Sequence, residues 1–122
     1  MENEVRYASS LASIAEDLFV EVFCDAFGPE KTQYLSVQYP FADIYGNKRF
    51  IDFALESEDL RIAIEIDGEK FHNPNKVSSN KYYDDLLKQN SLIYNNWKVY
   101  RWAYTQLKKQ REKVKDELIT FM

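Results

Sequence analysis

Apolar positions change period several times along the chain, and each change marks an element. From residue 9 to 27 they recur at Leu11, Ile14, Ala15, Leu18, Val22 and Ala26, the spacing of one helix face. Ser13 and Glu16 fit the S-x-x-E capping pattern, with Ser9 and Ser10 as earlier starts, and Gly28-Pro29 ends the helix. Gln33 to Ala42 is rich in β-formers and reads as a strand, its Pro40 favouring an edge position. Asp43 to Asn47 is turn chemistry.

The period then falls to two. Lys48 to Leu55 and Leu60 to Asp67 read as strands joined by an acidic turn, Glu56 to Asp59. Alternation puts Asp52 on one face with Phe50 and Ala54. It puts Glu65 and Asp67 with Arg61 and Ala63, while Ile62, Ile64 and Ile66 take the other face. With that turn, Asp52 lies beside Ala63 and diagonal to Glu65, a separation of roughly 7–8 Å between backbones.

Gly68 to Ser79 is a polar loop. Helical spacing returns from Asn80 to about Asn95, with Tyr83, Leu86, Leu87, Asn90 and Ile93 near one stripe. Trp97 to Trp102 is a short strand with Trp97, Val99 and Arg101 on one face. Thr105 caps a last helix, Gln106 to Phe121, that buries Leu107, Val114, Leu118 and Phe121 and turns Lys108, Lys109, Arg111, Lys113 and Lys115 outward. The order α-β-β-β-α-β-α implies an α+β (α/β) domain with a central mixed four-stranded sheet flanked by helices.

Composition narrows the class. With 122 residues, 45% of them hydrophobic and 16% aromatic, the chain has enough material for one domain with one core, and reads as a folded one. It is either a whole small protein or the N-terminal domain of a larger one. No apolar run nears the ~18 residues of a membrane span, the first residues lack a signal-peptide layout, and Cys24 is alone. A cytoplasmic protein without disulfide or zinc site is expected. Net charge is −4, but unevenly spread. Residues 1–67 carry 5 basic and 14 acidic side chains, whereas residues 68–122 carry 11 and 6. A basic second half suits a nucleic-acid face, and equally a solvated helix.

The chemistry gathers on the hairpin. Three carboxylates on one side of two adjoining strands repel one another unless a cation lies between them. Mg²⁺, held by oxygen ligands next to phosphates, is the economical choice. Acidic residues on strands also commonly face water, so the metal reading leans on the apolar neighbours and on the Gly68 that follows.

Asp52 in RFIDFAL, then Glu65-Ile66-Asp67-Gly68 with His72 beyond it, resembles the PD-(D/E)XK phosphodiesterase superfamily, and most closely its very-short-patch-repair-endonuclease-like branch. The likeness covers nearly the whole chain and implies a restriction-endonuclease-like αβββαβα core. It implies Asp52 and Glu65 as metal ligands, the Ile66 carbonyl as a further oxygen ligand, and Mg²⁺, replaceable by Mn²⁺, as the cofactor. The superfamily has Lys where this chain has Asp67. Asp67 is then a third ligand or orients a water, and the missing cation comes from Lys88 in the Asp85-Leu86-Leu87-Lys88 pattern or from Lys70. Lys88 is otherwise a solvated helix lysine or a partner of Asp84 or Asp85. Glu16 is similar to a helix acid that completes the metal shell in relatives, with Glu21 as rival and capping or exposure as the plain alternatives. His72 has the pKa for proton transfer, although a loop histidine is more often structural.

The function implied is a Mg²⁺-dependent DNA endonuclease, with Lys70, Lys76 and Lys81 contacting phosphates. An acidic domain of this size grips DNA weakly, so a fused or associated helicase or recognition domain, or a second copy of the chain, is expected to help. Two other classes share the fold: an inactive module that binds nucleic acid or protein, and a Holliday-junction resolvase.

Overall fold

The computed structural model describes residues 11–68 and 79–122, with side chains from residue 14 onward. Helix α1, Leu11–Phe27, runs to Gly28, whose φ of +94° is open to glycine at low cost. Ser13 lies inside this helix and is not its cap; Ser9 and Ser10 fall outside the described residues. Pro29–Tyr34 forms a 3₁₀ turn, so the strand expected from Gln33 begins at Leu35. Strands β1 (Leu35–Ala42), β2 (Lys48–Glu56) and β3 (Arg61–Asp67) follow, then helix α2 (Ser79–Tyr94) and strand β4 (Lys98–Ala103). The last helix is two: α3, Tyr104–Lys109, and α4, Arg111–Phe121.

The strands form one mixed sheet in the order β1-β2-β3-β4, giving an α+β protein. The first three are antiparallel neighbours, as hairpins allow, and the helical crossover leads to β4. Pro40 therefore sits on an edge strand, where its missing N–H costs no ladder bond.

Two compact units are distinguished by their internal contacts. One holds α1, α3 and α4 with the ends of β3 and β4. Here α1 buries Ala15, Phe19, Val22 and Phe23 and packs on α3 and α4. That stripe is rotated from the expected one. Ile14 is 48% exposed, because the larger Phe19 and Phe23 remove more apolar surface from water. Phe19 stacks on Trp102 at 6.4 Å, and Trp102 Nε1 donates to Glu117 Oε1 at 2.8 Å. Leu107, Val114 and Leu118 are buried as expected, whereas Phe121 is 41% exposed. Arg111 is not turned outward alone; it pairs with Glu21 and Asp25 at 3.1 and 2.7 Å. The N-cap of α3 is Ala103, whose N–H donates to the Gln106 side chain at 2.9 Å, and Thr105 lies within the helix.

The other unit holds β1, β2, β3 through Glu65, α2 and β4 through Arg101. Its core joins Ile51, Ala54, Ala63, Leu92 and Trp97, with Tyr39, Phe41 and Val99 against them. Both tryptophans are buried, at 3% exposure each.

Two details of this sheet set the site. Glu56 pairs with Arg61 and Ala54 with Ala63, so the turn is Ser57–Leu60, closed by the Ser57 N–H on the Leu60 carbonyl at 2.8 Å. The register is two residues away from the expected one. A slip of two leaves every side chain on its face, but it carries Asp52 from a place beside Ala63 to one opposite Glu65.

The second detail is an irregularity between β1 and β2. The ladder runs through Val37↔Phe53 and Tyr39↔Ile51 with no Gln38↔Asp52 pair between them, and Gln38 has a φ of +53°. Before this point Arg49 and Ile51 reach the α2 side, where Arg49 bonds Asp84 and Ile51 packs with Leu92. After it, Ala54 reaches the same side. Strict alternation therefore fails between Ile51 and Asp52. Such breaks re-aim side chains next to functional sites.

Candidate active site

Glu65 is the centre of the site. It lies on β3, an interior strand, only 5% exposed. Its Oε2 accepts the backbone N–H of Asp52 at 3.0 Å, and its Oε1 accepts Lys88 Nζ from α2 at 2.6 Å. Gln38 Nε2 donates to Asp52 Oδ1 at 3.3 Å. Asp52, Glu65 and Lys88, named separately from the sequence, are thus gathered at one place. Lys88 is neither solvated nor paired with Asp84 or Asp85.

The helix stripe expected on α2 is the reason this could be missed. Tyr83 and Ile93 are 62% and 53% exposed, whereas Ser91 and Leu92 are fully buried. The helix is turned so that Lys88, Ser91 and Leu92 face the sheet. Two arginines hold it there. Arg101 on β4 donates to Asp85 and Gln89 at 2.8 and 2.9 Å. Arg49 on β2 donates from Nε to buried Asp43 at 2.9 Å and from both terminal nitrogens to Asp84 at 2.8 and 2.6 Å. Asp43 in turn accepts the N–H groups of Tyr45 and Asn47 across the β1–β2 turn. The Ile44 N–H donates to Ser91 Oγ at 3.2 Å.

Electrostatics follow from this packing. Burial pushes the Glu65 carboxyl up to about 7, and the negative charge of Asp52 adds to the rise; Lys88 opposes both. Arg49 holds Asp84 below the usual carboxylate range. At Asp43 burial alone would raise the carboxyl, but Arg49 and the two turn N–H groups outweigh it.

Above the pair lies an open cleft of about 420 Å³, lined by Gln38, Arg49, Phe50, Asp52, Lys81, Asp84, Asp85 and Lys88. Arg49, Lys81 and Lys88 place three positive side chains in it. Ile66 and Asp67 close β3, half-buried. Glu16 is a buried residue of α1, 7% exposed, which sets aside plain exposure. His72, Lys70 and Lys76 lie outside the described residues.

Among the described residues, no three His, Cys, Asp or Glu side chains gather as a metal-holding group. The carboxylate pair still fits a hard divalent ion, since Mg²⁺ keeps several waters and commonly takes one or two carboxylates with substrate phosphate. Gln38 and Arg49 are the site residues the sequence reading omitted. Gln38 gives no signal, because its role depends on an irregular backbone. Arg49 sits three residues before Asp52, beside Lys48 at the start of β2, and only the fold shows its two acidic partners.

Compared with known proteins, the chain matches no family model, no curated protein and no solved structure. Among the described residues, no helix is long and apolar enough to cross a membrane.

Proposed function

We propose that the chain is a metal-dependent DNA endonuclease of the PD-(D/E)XK type, with a restriction-endonuclease-like core. The observation that carries this reading is the contact of Lys88 with Glu65, at 2.6 Å and beside Asp52. In the proposed family a lysine stands two residues after the glutamate. Here that position is Asp67, and Lys88 supplies an ammonium to the same carboxylate from the helix.

In this reading Asp52, Glu65 and the Ile66 carbonyl would hold Mg²⁺ or Mn²⁺. The ion supplies an acidified water and a positive charge on a phosphate oxygen. The chain's own residues do the rest. Lys88, which reaches the site from α2, would bring its charge to the phosphate in a shielded place. Asp67 orients the attacking water and His72 moves its proton. Lys70, Lys76 and Lys81 bind neighbouring phosphates and set position without reading bases. A helicase or recognition domain, or a second copy of the chain, would add grip.

Plasmid nicking with Mg²⁺ or Mn²⁺ tests this. D52N and E65Q are expected to abolish cleavage while the fold persists, and K88M to lower it by roughly a hundredfold to a thousandfold. Full activity in both carboxylate variants would sink the proposal. One observation favours a second reading, an inactive module that binds nucleic acid or protein. Both Glu65 oxygens already have protein donors, so the site is satisfied without an ion. Wild-type protein that binds DNA and cleaves none with either ion would select that reading.

A further inference from the structure

Arg49 is held in two different ways. Its Nε edge is tied to Asp43, whose side chain is fully buried and also bonds the β1–β2 turn. Its terminal fork grips Asp84 with two bonds, and that carboxylate is 59% exposed at the surface. The first bond fixes the plane of the guanidinium. The second joins it to a group that water already reaches, so solvent screens that side of the pair and a dissolved anion can reach it. A guanidinium fork that fits a carboxylate with two parallel bonds fits a phosphate equally well. Arg49, Lys81 and Asp84 all line the cleft that holds Asp52 and Lys88.

We propose that Arg49 forms a phosphate subsite of the cleft, and that Asp84 occupies its fork until a backbone phosphate of DNA takes its place. The proposal rests on the nucleic-acid reading above and names where the strand next to the reacting phosphate is held. Arg49 favours a negative charge at the Asp84 position and outweighs the opposing burial and Asp43, with Lys81 adding to it, as an incoming phosphate requires.

The test is DNA binding in EDTA, where no cleavage occurs, using a short fluorescein-labelled duplex and circular dichroism to verify folding. D84N frees the fork and is expected to tighten binding roughly threefold to fivefold. D85N removes the same charge from the same cleft but releases Arg101 instead of Arg49, and is expected to change binding less. R49K keeps the charge and the Asp43 contact but loses the fork, and is expected to weaken binding. Equal tightening by D84N and D85N would show that the effect is not particular to Arg49 and overturn the subsite, as would unchanged affinity in R49K. Either result, with nicking by the wild type intact, leaves the nuclease reading standing. Wild type, D84N and R49K that all fail to bind DNA would overturn both.

Discussion

Glu65 is the residue on which the chemistry and the stability of this protein meet. A carboxyl pushed up to about 7 from an ordinary 4.5 binds more protons folded than unfolded over that interval. Stability from this group is full below about 4.5, declines as pH rises, and is gone above about 7. Asp43 and Asp84 shift the opposite way, so what they contribute is lost only as pH falls below the usual carboxylate range. The two windows do not overlap. Urea unfolding in EDTA across that interval is therefore expected to show stability falling with pH, by on the order of 3 kcal/mol in the limit. E65Q is expected to flatten the curve. An unchanged slope in that variant would mean that another group titrates there. At this scale the sequence was informative about identity and silent about environment. Period-two alternation suffices to put Glu65 on a face with Ala63 and Arg61. It does not reveal that Lys88 reaches that face, because Lys88 comes from a helix whose apolar spacing points elsewhere.

Helix α2 carries Lys88, and its own hydrophobicity does not decide which side it buries. Tyr83, Leu86 and Ile93 set the apolar stripe in the sequence, yet all three are exposed. Leu92 is the apolar residue that docks it fully, within the cluster of Ile51, Ala54, Ala63 and Trp97. Arg49, Arg101 and Ser91 add polar ties, which have no periodicity to detect. L92A is accordingly expected to cost about 2–5 kcal/mol in chemical denaturation, and to lower the proposed nicking activity by loosening the lysine it positions. I93A, at 53% exposure, is expected to stay within about 0.5 kcal/mol of wild type. The reverse ranking would mean that the sequence stripe, and not the observed one, is buried. The hairpin was easier to read, for a physical reason: its faces survive a register error of two. The break at Gln110 was harder, since neither Gly nor Pro marks it and its φ of −130° suits any residue.

For the whole molecule, charge is the property that the sequence displayed and left without an address. The basic excess of residues 68–122 belongs partly to α3 and α4, where Lys108, Lys109 and Lys113 are exposed, and partly to the cleft. These two sources predict different salt dependence. Grip by Arg49, Lys81 and Lys88 alone would give a slope of log K against log salt of about −3. A slope steeper than about −6 would assign the grip to the terminal helices as well. Fluorescence anisotropy over a salt series separates the two. The element order and the α+β class were legible from periodicity alone. The division into two units was not, because β3 and β4 each contribute one end to either, and no Gly-rich or Pro-rich linker announces it.

The missing rung between Gln38 and Asp52 has one more consequence. The main-chain nitrogen of Asp52 touches a Glu65 oxygen at 3.0 Å, so its proton senses whatever that oxygen holds. Protonation, capture of an ion or departure of the lysine would each move the same nuclear resonance. The protein thus contains a native spectroscopic probe of its central acid, one atom that needs no label beyond nitrogen-15.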